Sequence, residues 1–78
     1  MELSFERCME LERRLYFLGD YDNAIVFARL GMRLSATMDK KMLDPTLYVQ
    51  RYMGFWINDR SVAWNLLMQT DSKRNLRK

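Results

Sequence analysis

The side chains able to carry covalent or metal chemistry are few in this sequence. Its 78 residues include one cysteine, Cys8, and no histidine. A thiol nucleophile usually needs a neighbouring base such as histidine, and a zinc site needs several cysteine or histidine ligands. Because Cys8 also lies at helical spacing among large apolar residues, we interpret it as a small core residue.

Two groups of acidic residues invite comparison with known acidic sites. The segment 20–23, with sequence DYDN, begins like a calcium loop but lacks the central glycine and the terminal glutamate of such loops. It is better interpreted as a helix cap and first turn. Glu6, Glu10 and Glu12 share an arginine-rich segment, which favours a solvated surface over an acid–base pair. The sequence therefore predicts a protein that is not an enzyme and holds no metal or cofactor.

Composition and charge indicate a folded body with a basic end. Hydrophobic residues make up 49% of the chain and aromatic residues 13%, which argues against intrinsic disorder. The whole net charge of +3 lies in residues 71–78, so residues 1–70 are electrically balanced. A balanced body argues against a basic nucleic-acid-binding face. We predict a single helical domain over 1–70 and a flexible basic tail over 71–78.

Nothing in the sequence indicates export or membrane insertion. No apolar run approaches the roughly 20 residues needed to cross a bilayer. The acidic N-terminal segment is unlike a secretory or mitochondrial leader, and a single cysteine cannot form an internal disulfide. We therefore predict a cytoplasmic protein that has no membrane partner.

The first two helical patterns meet at Gly19 and Asp20. Ser4 is a good N-cap for the first helix. Gly19 favours the left-handed conformation that closes a helix, and Asp20 can cap the helix that follows. These features predict an αα-hairpin folded at Gly19. The buried face of its first helix is predicted to contain Phe5, Cys8, Leu11, Leu15 and Leu18.

The second helix, about residues 21 to 36, is apolar on two faces. Such a helix must be covered on two sides. Three small residues on neighbouring turns, Ala24, Ala28 and Gly31, permit the close approach of another helix. One apolar face contains Tyr21, Ala24, Ile25, Ala28 and Met32, and the other contains Val26, Phe27, Leu30 and Leu34.

A connection over residues 35–44 precedes the second half of the chain. Asp44 as cap and Pro45 at the first helical position predict a third helix over about 45–57. Glycine inside a helix costs about 1 kcal/mol against alanine, so Gly54 suggests close packing there. Overall, the pattern predicts an all-α protein of about four short helices in two αα-hairpins.

The second predicted turn resembles the first. Asn58 tolerates a left-handed conformation and Asp59 can cap a fourth helix. The turns at 19–20 and 58–59 lie 39 residues apart, a spacing found in helical-repeat arrays. The buried face of the fourth helix is predicted to contain Val62, Ala63, Leu66 and Leu67.

The segment 16–34 resembles the second half of a tetratricopeptide repeat. That family has glycine, aspartate, tyrosine, two variable residues, alanine and an aliphatic residue at its turn. One departure is Glu12, which stands where the family has a small residue. The matching residues here are Gly19, Asp20, Tyr21, Ala24 and Ile25.

The resemblance implies a minimal two-repeat unit, as in small bacterial tetratricopeptide-like chaperones, with a peptide-binding groove lined by the first helix of each hairpin. Three of the implied groove residues are aromatic at i, i+4 and i+7. That spacing suits an interface anchor, and it also suits a helix core, so both interpretations remain open. The implied groove residues are Met9, Arg13, Tyr16, Tyr48, Tyr52 and Phe55.

The leading hypothesis is a small non-catalytic protein-binding module, namely an adaptor, chaperone or inhibitor. Its partner is another protein or a second copy of the chain. The alternative is a nucleic-acid-associated regulator, which the balanced body makes less favoured. It would act through phosphate contacts from Lys73, Arg74, Arg77 and Lys78.

Overall fold

Four α-helices make up the computed structural model, which describes residues 3–38 and 42–77, with side chains as far as Thr70. No strand occurs within these ranges, and the predicted all-α class is confirmed. The helices are α1 (Phe5–Phe17), α2 (Tyr21–Ala36), α3 (Pro45–Met53) and α4 (Arg60–Arg77).

Two compact units divide the chain, Met1–Leu43 and Asp44–Lys78. The first unit is the hairpin of α1 packed on α2, and the second is α3 packed on α4. The single domain expected over 1–70 stays a prediction. The backbone of α4 continues to Arg77, within the expected tail, but the side chains of 71–78 lie outside the described part of the chain.

The turn between α1 and α2 forms as the sequence predicts. Gly19 has a φ of +83°, in the left-handed region. Its N–H donates to the Tyr16 carbonyl at 3.0 Å, and the N–H of Asp20 donates to the Leu15 carbonyl at 2.9 Å. This pair of hydrogen bonds is a Schellman motif, which satisfies carbonyls that the end of a helix leaves open.

Side-chain caps start both helices of the hairpin. The Ser4 hydroxyl accepts a hydrogen bond from the N–H of Arg7 at 3.1 Å. The Asp20 carboxylate accepts from the backbone N–H of Asn23 at 3.4 Å and from its side-chain amide at 2.8 Å. Both predicted N-caps are therefore confirmed, and each satisfies a backbone donor that the first turn cannot.

The buried face of α1 differs from the predicted face. Phe5 and Cys8 are buried, but the third buried residue is Glu12, at 2% exposure. Leu18 is 74% exposed, because it is the C-cap residue at the open end of the hairpin. The prediction that Glu12 lies on a solvated surface is wrong, and so is the burial of Leu18. Leu11 and Leu15 are half-buried.

Small residues of α2 bring the two helices close, as predicted. Ala24, Ala28 and Gly31 are all buried. A Cβ added at Gly31 would collide with the Cε methyl of Met9 and lie 3.6 Å from the Cβ of Cys8. Glycine at this position therefore leaves room for the Met9 methyl between the two helices. The second apolar face of α2 is covered only in part, since its residues Val26, Phe27, Leu30 and Leu34 range from half-buried to exposed.

α3 begins where the sequence predicts and ends earlier. The Asp44 carboxylate accepts from the N–H of Thr46 at 3.1 Å, with Pro45 at the start of the helix. The helix ends at Met53 rather than at residue 57, because Gly54 adopts a φ of +72°. A Cβ at Gly54 would meet nothing within 4 Å, so the predicted close packing there is wrong. Gly54 instead adopts the left-handed backbone conformation with which α3 ends.

The second turn consequently does not repeat the first. No described residue other than glycine has a positive φ, so Asn58 does not take the predicted left-handed conformation. Six residues, 54–59, connect α3 to α4, whereas Gly19 stands directly before the cap at Asp20. The two turns therefore differ in structure, because Gly54 stops α3 before Asn58 is reached.

Asp59 caps α4 as predicted. Its carboxylate accepts from the N–H groups of Ser61 at 2.8 Å and Val62 at 3.3 Å. Ala63 and Leu67 are fully buried, as is Val49 of α3. The predicted burial of Val62 is wrong, since 47% of it is exposed. Leu66 is half-buried.

Replacing Gly19 by alanine is expected to lower the free energy of unfolding by about 1 kcal/mol. The reason is the left-handed backbone alone, since a Cβ there would meet nothing within 4 Å. Urea denaturation followed by circular dichroism measures the loss. Gly54→Ala is the matched control and should show a similar loss; a more stable Gly19→Ala protein contradicts the left-handed turn.

A double-mutant cycle tests the contact between Gly31 and Met9. Replacing glycine by alanine inside a helix usually raises the free energy of unfolding by about 1 kcal/mol. Gly31→Ala alone should raise it by less, because the new Cβ must displace the Met9 methyl. In a Met9→Ala background the gain should appear in full. Additive effects of the two substitutions would show that the methyl does not fill this space.

Candidate functional site

The predicted groove residues fall in both units. Met9, Arg13 and Tyr16 lie on α1. Tyr48 and Tyr52 lie on α3, with their rings stacked at a centroid distance of 6.4 Å and an angle of 20°. Phe55 lies beyond the end of α3, so the predicted helical register from Tyr48 to Phe55 is wrong. A partner-binding role for these residues stays a prediction.

Their exposure separates them into two groups. Arg13 and Phe55 are exposed, while Met9, Tyr16, Tyr48 and Tyr52 are half-buried. The terminal methyl of Met9 occupies the space beside Gly31, within the α1–α2 hairpin. Met9 therefore contributes to helix packing, whereas the Arg13 side chain is exposed.

A surface on the outer side of α1 combines exposed apolar residues with arginines. Phe17 is 79% exposed and adjoins the exposed Leu18. The residues of this surface recur at i, i+3, i+4, i+7 and i+8, so they share one face of the helix. That face lies opposite the buried residues Cys8 and Glu12. They line a shallow depression of about 420 Å³. We name this face the tip surface, and its residues are Glu10, Arg13, Arg14, Phe17 and Leu18.

The charges of the tip surface are predominantly positive. Glu10 forms an ion pair with Arg7, at 3.5 Å between carboxylate oxygen and guanidinium nitrogen. Among the described residues, neither Arg13 nor Arg14 forms an ion pair. Two cations therefore stand beside two exposed apolar side chains, with the one carboxylate of the surface already engaged.

An aromatic cluster supports this surface at the turn. The Tyr16 ring packs edge-on against Phe17, with centroids 6.1 Å apart at 84°. It also contacts the Tyr21 ring across the turn, with centroids 5.1 Å apart at 58°. Edge-to-face and tilted ring pairs of this kind add about 0.5–1.5 kcal/mol each beyond burial. They link the last turn of α1 to the first turn of α2.

The second unit exposes a different apolar pair. Phe55 and Trp56 follow Gly54 in the connection between α3 and α4, and Trp56 is 91% exposed. A smaller depression of about 100 Å³ is lined by Leu47, Tyr48 and Arg51. The Arg51 guanidinium lies 5.8 Å from the centre of the Tyr52 ring, within cation–π range.

The sequence pattern missed the exposed residues of both units. The predicted buried face of α1 includes Leu18, and the predicted third helix, about 45–57, extends over Phe55 and Trp56. The signal that identifies both pairs is a glycine: Phe17 and Leu18 directly precede Gly19, and Phe55 and Trp56 directly follow Gly54. Residues beside a left-handed helix end lie at the edge of a hairpin, where the neighbouring helix does not cover them.

Reactive groups are not gathered at either surface. Cys8 is fully buried, and burial raises the pKa of its thiol above the ordinary value of 9.0. Within the described ranges, no three histidine, cysteine or acidic side chains come together to hold a metal ion. The helices of this part of the chain are also too short or too polar to cross a membrane.

Comparison of the chain with protein-family models, curated protein sequences and solved structures finds no match.

Burial of Cys8 predicts a pH dependence of stability. The thiol pKa is raised in the folded state, so the folded chain holds the proton more strongly than the unfolded chain does. The contribution of the buried thiol to stability is therefore fully present below the ordinary pKa, and it is lost as pH rises through the folded-state pKa. Denaturant midpoints for wild type and Cys8→Ala, measured from about pH 7 to 10, should diverge above about pH 9, with wild type losing more. A difference that does not change with pH contradicts the assignment.

Proposed function

We propose that the chain is a non-catalytic protein-binding module that acts in the cytoplasm as an adaptor, chaperone or inhibitor. The observation that carries this proposal is a pair of adjacent exposed apolar residues in each unit, Phe17 with Leu18 and Phe55 with Trp56. Single exposed apolar residues are ordinary on protein surfaces. Adjacent ones beside a rigid helix end are a more specific feature.

The energetics favour binding at these positions. Full burial of a large apolar side chain contributes roughly 1.5–3 kcal/mol. Tryptophan and arginine are also the residue types most often found at the energetic centre of an interface. Trp56 is an exposed tryptophan of the second unit, and Arg13 is an exposed arginine of the tip surface.

The hairpin of the first unit is consistent with the resemblance to tetratricopeptide repeats. The turn at Gly19 and Asp20 is the part that carries the resemblance, and its geometry positions Arg13 and Tyr16 on α1. In that family such residues face a peptide. The proposal extends this role to the present chain, with another protein as the partner and a second copy of the chain as the variant case.

Affinity capture followed by quantitative mass spectrometry tests the proposal in cells that express the protein. We expect wild type to enrich specific proteins, and Phe17→Ala/Leu18→Ala or Trp56→Ala to reduce that enrichment about tenfold or more. Trp56→Ala should change the unfolding free energy by no more than about 0.5 kcal/mol, because its side chain is exposed. Phe17→Ala/Leu18→Ala also removes the ring contact with Tyr16 and should lower it by up to about 1.5 kcal/mol.

Val26→Ala and Val62→Ala are the matched controls, since each truncates a part-exposed apolar residue elsewhere in one unit. They should retain wild-type capture. Identical capture by wild type and by both surface variants, or no enrichment over the tag alone, would overturn the proposed function.

A further inference from the structure

We infer that the tip surface binds an acidic amphipathic helix of another protein. The inference rests on the proposed function and names the chemistry of its partner. It assigns the apolar contact to Phe17 and Leu18 and the electrostatic contact to Arg13 and Arg14. It concerns the first unit alone.

The shape of the surface suits a helix as ligand. Its five residues form one continuous stripe along the last two turns of α1 and its C-cap residue, with the depression of about 420 Å³ between them. A helical ligand recognises such a stripe with apolar residues at i, i+3, i+4 and i+7. The Phe17 ring packs edge-on against Tyr16 on one side and leaves most of its surface exposed to a ligand.

The charge of the surface selects an acidic ligand. Arg13 and Arg14 form no ion pair among the described residues, whereas Glu10 is occupied by Arg7. Guanidinium groups bind carboxylates with two parallel hydrogen bonds, which adds geometry to the attraction. A ligand with aspartate or glutamate beside its apolar stripe therefore complements both halves of the surface.

A peptide fits better than a continuous anionic surface. Asp20 and Asp22 lie at the same end of the hairpin as the tip surface. A lipid bilayer or a nucleic acid would bring negative charge against these carboxylates as well as against Arg13 and Arg14. A peptide can place its few negative charges opposite the arginines alone.

A second copy of the chain is a poorer occupant. A stable dimer buries about 800 Å² on each partner through roughly 20–30 residues, far more than a stripe of five side chains. A two-fold contact between tip surfaces would also bring two sets of arginines together. Both arguments favour a different, acidic partner.

Selection from a displayed library of random peptides about 16 residues long, a length that allows a helix to form, tests the inference. The full chain is the bait. We expect the enriched peptides to combine aspartate or glutamate with leucine, isoleucine or phenylalanine at helical spacing. Fluorescence anisotropy on the synthetic peptides should show binding that weakens about 5- to 20-fold in Arg13→Gln/Arg14→Gln and tenfold or more in Phe17→Ala/Leu18→Ala.

Arg33→Gln is the matched control, because Arg33 is an exposed arginine in the last turn of α2. It should bind the peptides within about twofold of wild type. Circular dichroism melts confirm that every variant is folded. Raising the salt concentration should weaken wild type more than Arg13→Gln/Arg14→Gln, since only wild type retains both charges.

The other occupants are measured in parallel. Binding of vesicles containing phosphatidylserine, or a dimer in light scattering that Phe17→Ala/Leu18→Ala dissociates, would overturn the inference if no acidic peptide binds. Enrichment of basic or uncharged peptides, or no enrichment, would also overturn it. Peptides lost with Trp56→Ala but retained by the tip-surface variants would overturn this inference while leaving the proposed function standing.

Discussion

Between α1 and α2 the chain must end one helix and start another within three residues, and the left-handed backbone at Gly19 makes this possible. The backbone N–H of Asp20 donates a hydrogen bond to the Leu15 carbonyl at the end of α1, and the Asp20 carboxylate caps the start of α2. An L residue with a Cβ is strained in that conformation. The geometry of the first unit, including the close contact of its helices at Gly31, depends on this turn.

The same constraint creates the exposed surface of the first unit. A tight turn leaves little chain to fold back over the last turn of α1, so Phe17 and Leu18 remain open while Tyr16 and Tyr21 pack against each other across the bend. In the second unit Gly54 ends α3, and Phe55 and Trp56 lie exposed in the connection that follows. Both exposed apolar pairs are therefore consequences of how a helix ends.

Packing inside the first unit is governed by small side chains. Ala24, Ala28 and Gly31 form the part of α2 that α1 approaches, and the Met9 methyl fills the space over Gly31. The outer side of α1 faces away from the buried residues Cys8 and Glu12 and is exposed. The arginines and apolar residues on that side are consequently available for contact with another molecule.

Helix starts were determined by the sequence alone, because an N-cap is a hydrogen bond between residues two or three positions apart, as at Ser4, Asp44 and Asp59. The bend at Gly19 was equally local. Only the tertiary structure decided that Glu12 is buried and Leu18 exposed, since both outcomes depend on where α2 lies against α1. Apolar spacing identifies a stripe on a helix, but the length and direction of the neighbouring helix decide how much of that stripe is covered.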